Sequence, residues 1–238
     1  IDLSTGKQPI TSSDERYQIF FNGEIYNYKE IKKELGDYPF KTESDTEVIL
    51  AGFIKWGKGI LPRLRGMFTF AIYDTKEKKL FVARDPFGIK PLYYWVGPTS
   101  HEASQGGRIL AYSSEIKSFL KLPDFKTEVN DAAVYNYLSY QYNPLKETFF
   151  KNIFKLLPAH YMVIDAITGK FEEKRYWQFK FNSDESLDEE ETERKILTTM
   201  EDSVAHHMIA DVPVGSFLSG GIDSSIIATL MSSSAKAT

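Results

Sequence analysis

The sequence predicts an antiparallel α+β domain followed by the opening strand–loop–helix unit of a second, α/β domain. Three observations carry this expectation. Short apolar runs with period-two breaks recur in pairs across turn signals between residues 17 and 179, as hairpins do. Two stretches near the start place apolar residues three and four apart, as helices do. Composition changes near Phe181, and a single Gly-rich loop then stands between an apolar run and a helical pattern.

Taken in order, residues 17–21 form an apolar run that stops at Asn22-Gly23, a turn signal. Residues 24–35 read as a helix, with Ile25, Tyr28, Ile31 and Leu35 on one side. A second helix is expected over 45–56, with Ser44 as N-cap and Glu47 closing a capping box. Residues 67–74 and 80–84 form a hairpin across the charged turn 76–79. Residues 92–96 and 109–113 form a further pair, joined by a loop over 100–107. Short helices are expected over 115–122 and 130–140, and a last hairpin joins 161–164 to 174–179 across Thr168-Gly169. Hairpins bracketed by helices make sheets with helices packed on them.

Residues 181–193 are rich in carboxylates and poor in apolar surface, which suits a solvated linker leading into a helix. From Arg194, Ile196, Met200, Val204 and Met208 repeat at four, an apolar stripe expected to pack as core. Residues 214–218 then read as a strand, 219–223 as a loop and 224–231 as a helix. Such a unit needs neighbouring strands and helices to cover it, so more protein is expected beyond residue 238. The expected domains are residues 1–180 and 194–238, with 181–193 between them.

Composition sets limits on function. At 238 residues the chain is 42% hydrophobic and 26% charged, with a net charge of −4. That balance is globular and lacks the basic stripe of a nucleic-acid partner. No apolar run approaches the ~20 residues that a membrane span needs, and a cytoplasmic protein is expected. The chain has no cysteine, which excludes disulfides, cysteine-ligated metals and a thiol nucleophile within it. His206 and His207 are adjacent and point to different sides of a helix, so no metal is expected there.

The loop Ser219-Gly220-Gly221-Ile222-Asp223-Ser224-Ser225 sits between the expected strand and helix. Its glycines let backbone N–H groups approach an anion, the helix N-terminus adds partial positive charge, and its serines offer hydroxyls. Asp223 would repel a phosphate unless a divalent cation lies between them, and Mg2+ is the natural choice. The loop lacks the Gly-Lys-[Ser/Thr] of a Walker A motif and the G-x-G-x-x-G of a dinucleotide fold. It resembles the S-G-G-x-D-S pyrophosphate loop of the ATP-pyrophosphatase class, which implies a nucleotide site formed by Phe217, Leu218, Ser219, Gly220, Gly221, Asp223, Ser224 and Ser225.

Upstream, Asn22-Gly23-Glu24-Ile25-Tyr26-Asn27, Ser44-Asp45-Thr46-Glu47, Arg84-Asp85-Pro86-Phe87-Gly88-Ile89-Lys90-Pro91-Leu92-Tyr93 and Ser114-Glu115-Ile116-Lys117 occur in that order. Together these segments resemble the N-terminal domain of the asparagine synthetase family, a class II (N-terminal nucleophile) glutamine amidotransferase. The resemblance implies an Ntn-hydrolase αββα sandwich, followed by the first βα unit of an ATP-pyrophosphatase domain. It implies an oxyanion hole from the Asn22 side chain and the Gly23 N–H. Glutamine contacts are implied for Asn22, Gly23, Glu24 and Asp45.

The family's nucleophile is an N-terminal cysteine, and its carboxylate-binding arginine lies just ahead of Ile1. The resemblance therefore implies that roughly 55 residues precede Ile1 and that this stretch alone is inactive. Glutamine, aspartate and ATP are the implied substrates, with Mg2+ as cofactor. A homodimer is compatible with the reading. Arg84-Asp85 is expected to be a structural ion pair, and Glu115 and Lys117 to belong to a helix start. Two alternatives stay open: a relative with another acceptor, such as a β-lactam synthetase-like enzyme, and a non-catalytic glutamine-sensing module.

Overall fold

The computed structural model describes residues 2, 6–98, 108–123, 125–183, 186 and 188–236. The loop expected over 100–107 lies outside these residues. The chain divides into two compact units, residues 3–178 and residues 1–2 with 179–238.

The strands of the first unit are β1 (Ile10–Thr11), β2 (Tyr17–Ile25), β3 (Gly66–Asp74), β4 (Lys79–Arg84), β5 (Tyr93–Pro98), β6 (Arg108–Ser113), β7 (Ile153–Lys155), β8 (His160–Asp165) and β9 (Phe171–Arg175). They form an antiparallel six-stranded sheet of order β1-β2-β3-β4-β8-β9 and a three-stranded sheet of order β6-β5-β7. Helices α1 (Tyr28–Leu35) and α2 (Asp45–Trp56) pack together, and α2 lies on β2. Alternation along β3 sends Phe68, Phe70 and Ile72 to the helix side, where the Phe53 ring stands 4.9 Å from Phe81.

The opposite face carries Ala71, Val82, Met162 and Ile164, which meet Leu92, Tyr94 and Leu156 in one buried cluster between the sheets. Each of the larger aliphatic side chains (Val82, Leu92, Leu156, Met162 and Ile164) stabilises the fold by about 1.5–3 kcal/mol when fully buried. On the outer side of the small sheet, Trp95 and Ile153 pack under Phe119 and Phe125, from a 3-10 turn (Ile116–Lys121) and the segment after it. The mixed α+β architecture with antiparallel sheets is as expected.

Several expected elements differ. Asn22-Gly23 is not a turn: β2 runs through it to Ile25, paired residue by residue with β3 as far as Gly66. The long-range ladder overrides the local turn preference. Helix α1 starts only at Tyr28, because Asn27 is held by the distant chain: its Oδ1 accepts from Arg65 N and its Nδ2 donates to Arg63 O, both at 2.9 Å.

Ser44 does cap α2, accepting from Thr46 N at 3.2 Å. Glu47 reaches beyond the box position to accept from Lys41 N, Thr42 N and Thr42 Oγ1. The second arm of the last hairpin is β9 rather than 174–179, with Phe171 turned against Tyr94 at 5.8 Å. Residues 116–121 are a 3-10 turn, α3 (Asp131–Tyr140) forms as expected, and β7 is an unforeseen strand.

In the second unit α4 (Glu189–His207) begins inside the expected linker. Asp188 caps it, accepting from Glu191 N at 2.8 Å, and Glu189, Glu190 and Glu191 occupy the first turn. Carboxylates are favourable at that positive end of the helix. Of the expected stripe Val204 is buried, whereas Ile196 is 55% exposed. Residues 214–218 form no strand, and α5 (Ile222–Lys236) starts two residues before the expected helix. A single strand leaves its N–H and C=O groups without partners, and none pairs with 214–218 among the described residues.

Candidate functional site

The outer edge of β2 is built by alternation. Odd-numbered residues turn their N–H outward: Tyr17 N donates to Ser12 Oγ (2.9 Å), Phe21 N to Gln8 Oε1 (2.6 Å) and Ile25 N to Asp45 Oδ2 (2.9 Å). Just past the strand, Tyr26 N turns inward to Arg65 O. Phe68, opposite Gly23, spends its own N–H and C=O on Asp85. Gly23 therefore presents its N–H at the outer edge, between two that are capped. Among the described residues it has no partner. Only glycine fits here, since a Cβ would collide with the Met67 carbonyl oxygen and lie 2.7 Å from Phe68 Cα.

Asn22 is exposed, and its Nδ2 donates to Ser114 Oγ at 2.9 Å, at the end of β6. The two residues share a cleft of about 280 Å3 between the sheets, floored by Thr69, Ala71, Leu92 and Tyr112. Burial pushes the Tyr112 hydroxyl up from its ordinary range. Glu24 is half-buried and follows Asn22 by alternation on the same face.

Asp45 is the first residue of α2 and is 1% exposed. Burial pushes its carboxyl up from the ordinary range, and the bond from Ile25 N works against that shift. Among the described residues it makes no ion pair. One oxygen is thus tied to the strand that carries Gly23, in a setting where a cationic ligand would relieve the cost of its charge. The structure brings Asn22, Gly23, Glu24 and Asp45 together at one end of β2.

Arg84 and Asp85 are not the ion pair expected. Arg84 donates to the carbonyls of Gly88, Lys90 and Leu156. Asp85, fully buried, accepts from the N–H groups of Phe68, Phe87, Ile89 and Lys90. Each satisfies loop backbone, so the pair is a scaffold for 86–90. Glu115 and Lys117 pair with each other on the surface. Gln8 and Ser114 were missed as contributors. No local signal marks Gln8, and Ser114 sits in the Ser-Glu-Ile-Lys segment without a pattern that assigns it a role.

In the second unit Gly220 has φ +82° and open space around it, and Asp223 stands in the first turn of α5. The hydroxyls of Ser224 and Ser225 donate to Gly221 O at 3.0 and 2.8 Å, and Ser219 Oγ lies 3.0 Å from Ser224 Oγ. The serines expected to face a ligand are here turned into the loop. Phe217 is 100% exposed, and Leu218 is exposed beside it. Among the described residues no group of three His, Cys, Asp or Glu could hold a metal. No described helix is long and apolar enough to cross a membrane.

Residues 1–177 match the family model of the glutamine amidotransferase domain. The chain belongs to that family. Residues 195–238 match the asparagine synthase family. Beyond its amidotransferase-domain match, the chain is 40% identical to asparagine synthetase (glutamine-hydrolyzing) 1 of Bacillus subtilis, over 97% of the chain and 35% of that protein. It is 33% identical to amidase chyE of Penicillium rubens, over 97% of the chain and 33% of that protein. The chain thus spans about a third of the length of the curated relatives it matches. A solved glutamine phosphoribosylpyrophosphate amidotransferase from B. subtilis aligns with TM-score 0.47 and 16% identity, covering 95% of this chain and 47% of that one.

Proposed function

We propose that the full-length protein makes asparagine from aspartate and ATP, using ammonia released from glutamine, with residues 1–180 as the glutaminase half. One observation carries the reading: among the described residues the Gly23 N–H has no partner, between two capped neighbours and beside the Asn22 amide. Attack on the glutamine side-chain amide turns its carbonyl oxygen into an oxyanion. Gly23 N–H and Asn22 Nδ2–H are the two donors that hold it. Asp45 takes the substrate's α-ammonium on its remaining lone pairs, and that cation draws the carboxyl back toward its charged form. Glu24 completes the glutamine contacts. The nucleophile is supplied by protein other than these 238 residues, which contain no cysteine.

The loop 217–225 is the pyrophosphate cradle of the synthetase half. Open space at Gly220 and the N-terminal amides of α5 suit an anion, and rotation about χ1 turns the Ser224 and Ser225 hydroxyls outward. Asp223 fits Mg2+ as the single carboxylate of a site completed by substrate phosphates, a common arrangement for this ion. Bound there, the ion would neutralise phosphate charge while the aspartate carboxylate displaces pyrophosphate from the α-phosphorus of ATP, giving β-aspartyl-AMP. Ammonia then attacks that intermediate to give asparagine and AMP. Such a protein works in the cytoplasm.

The test is a pair of variants in the full-length protein, with glutamate and pyrophosphate release measured side by side. Asn22→Ala should cut glutamine-dependent turnover by about 10²–10³ and spare synthesis from added ammonia. Asp223→Ala should abolish pyrophosphate release with either nitrogen source and spare glutamine hydrolysis. Loss of all activities in both variants would sink the division of labour. A second reading keeps the glutaminase half and changes the acceptor, favoured by the 33% identity to the amidase. Pyrophosphate release that ignores aspartate would select it.

A further inference from the structure

Asn22 carries a side-chain amide with two hydrogens and stands exposed at the end of β2. An exposed amide of that kind samples several rotamers, and a hydrogen-bond donor catalyses well only when it is held in place before charge develops. In this structure the amide is held from the other sheet. Its Nδ2 donates one hydrogen to Ser114 Oγ at 2.9 Å, across 92 residues of sequence. It makes no other side-chain hydrogen bond among the described residues.

Ser114 is itself fixed. It follows Ser113, which pairs with Tyr93 in the small sheet and whose Oγ accepts from Glu115 N at 3.2 Å. The 3-10 turn that comes next is pinned by buried Phe119. Ser114 and Asn22 line the same cleft.

We propose that Ser114 is a positioning residue for glutamine hydrolysis: its hydroxyl takes one Asn22 amide hydrogen and so aims the second at the developing oxyanion. The inference rests on the oxyanion role proposed for Asn22. Ser114 touches no substrate atom. It acts by fixing the plane of another group, and it couples that group to the second sheet. Its loss therefore weakens transition-state binding more than substrate binding.

The experiment uses the full-length protein and compares wild type with Ser114→Ala, Ser114→Thr, Asn22→Ala and the double variant. Ser114→Ala should lower kcat for glutamine hydrolysis about tenfold, the size of one ordinary hydrogen bond, with KM within about twofold. Ser114→Thr, which keeps the hydroxyl, should recover most of that loss, and ammonia-driven synthesis should not change. In the Asn22→Ala background, Ser114→Ala should cost nothing further. A raised KM at constant kcat, a full additional loss in the double variant, or equal loss of ammonia-driven synthesis overturns the positioning role. If Asn22→Ala is itself silent, the oxyanion reading fails and the inference with it. If Asn22→Ala is impaired and Ser114→Ala is not, only the inference fails.

Discussion

The two candidate sites are built by different means. At the end of β2, every bond that shapes the site comes from far along the chain: Gln8 reaches Phe21 across 13 residues, Asp45 reaches Ile25 across 20, and Ser114 reaches Asn22 across 92. In the loop at residues 219–225, the side-chain bonds span five residues or fewer. The first site exists only if the sheet and both its neighbouring layers have formed. The second is a local turn that needs no tertiary support to close. A braced site is pre-organised and fragile to distant substitutions, whereas a local one is robust and still has hydroxyls to reorient before it can serve a ligand.

Distant bracing should show first at Asp85. Replacing it with Ala removes a fully buried carboxylate and orphans the buried N–H of Phe68 and the part-buried N–H groups of Phe87, Ile89 and Lys90. We expect a loss of about 3 kcal/mol or more in the unfolding free energy of the first unit, read as a lowered urea midpoint. A change below about 1 kcal/mol would show that the loop 86–90 is held by something other than this carboxylate.

A smaller effect is expected where bracing reaches the surface. Arg16 grips Asp74 through Nε and Nη2, the shortest contact being 2.7 Å, and the Asp74 carboxyl is held down from 3.8 to about 2. The main cause is the Arg16 hydrogen bond. Because the folded-state value is depressed, this stabilisation is present above about pH 4 and fades as pH falls toward 2. Arg16→Ala should lower the urea midpoint at pH 7 by less than the Asp85 variant does, because solvent screens an exposed pair. The gap from wild type should close as denaturation curves are taken down through that window. A gap that persists unchanged at pH 2 would assign the loss to packing on Tyr17 instead.

The smallest effect belongs to the local site. Ser224→Ala removes an exposed bond to Gly221 O, three residues away. Its cost to thermal stability should stay below about 0.5 kcal/mol. A larger loss would mean that the loop is braced after all.

Local signals were legible and distant ones were not. The β3–β4 hairpin and α2 follow from periodicity and from Ser44, because the groups that make them lie close in sequence. Asn22, Gly23, Glu24 and Asp45 could be named only through family resemblance, since residue chemistry alone reads Asn-Gly as a turn. Its place in a strand depends on β3, more than forty residues on. Glu47 looked like a capping-box acid, yet it ties down Lys41 and Thr42. Residues 214–218 have a strand's composition, but a strand is a property of a pair. The parts of Gln8 and Ser114 depend on contacts that no window of sequence contains.

The row of side chains along the edge of β2 also bears on solubility. An open strand edge is a template on which another extended chain can add, and proteins guard against this in various ways. Here the amides of Tyr17, Phe21 and Ile25 are taken by Ser12, Gln8 and Asp45, and β1 covers the stretch between the first two. A foreign strand docks through successive donors and would find none in sequence among the described residues. Among the described residues this edge is open at Gly23, a gap one residue wide that can receive an oxygen atom but is too short to pair with a peptide, so the spacing that admits a small substrate also keeps the strand from recruiting its own kind.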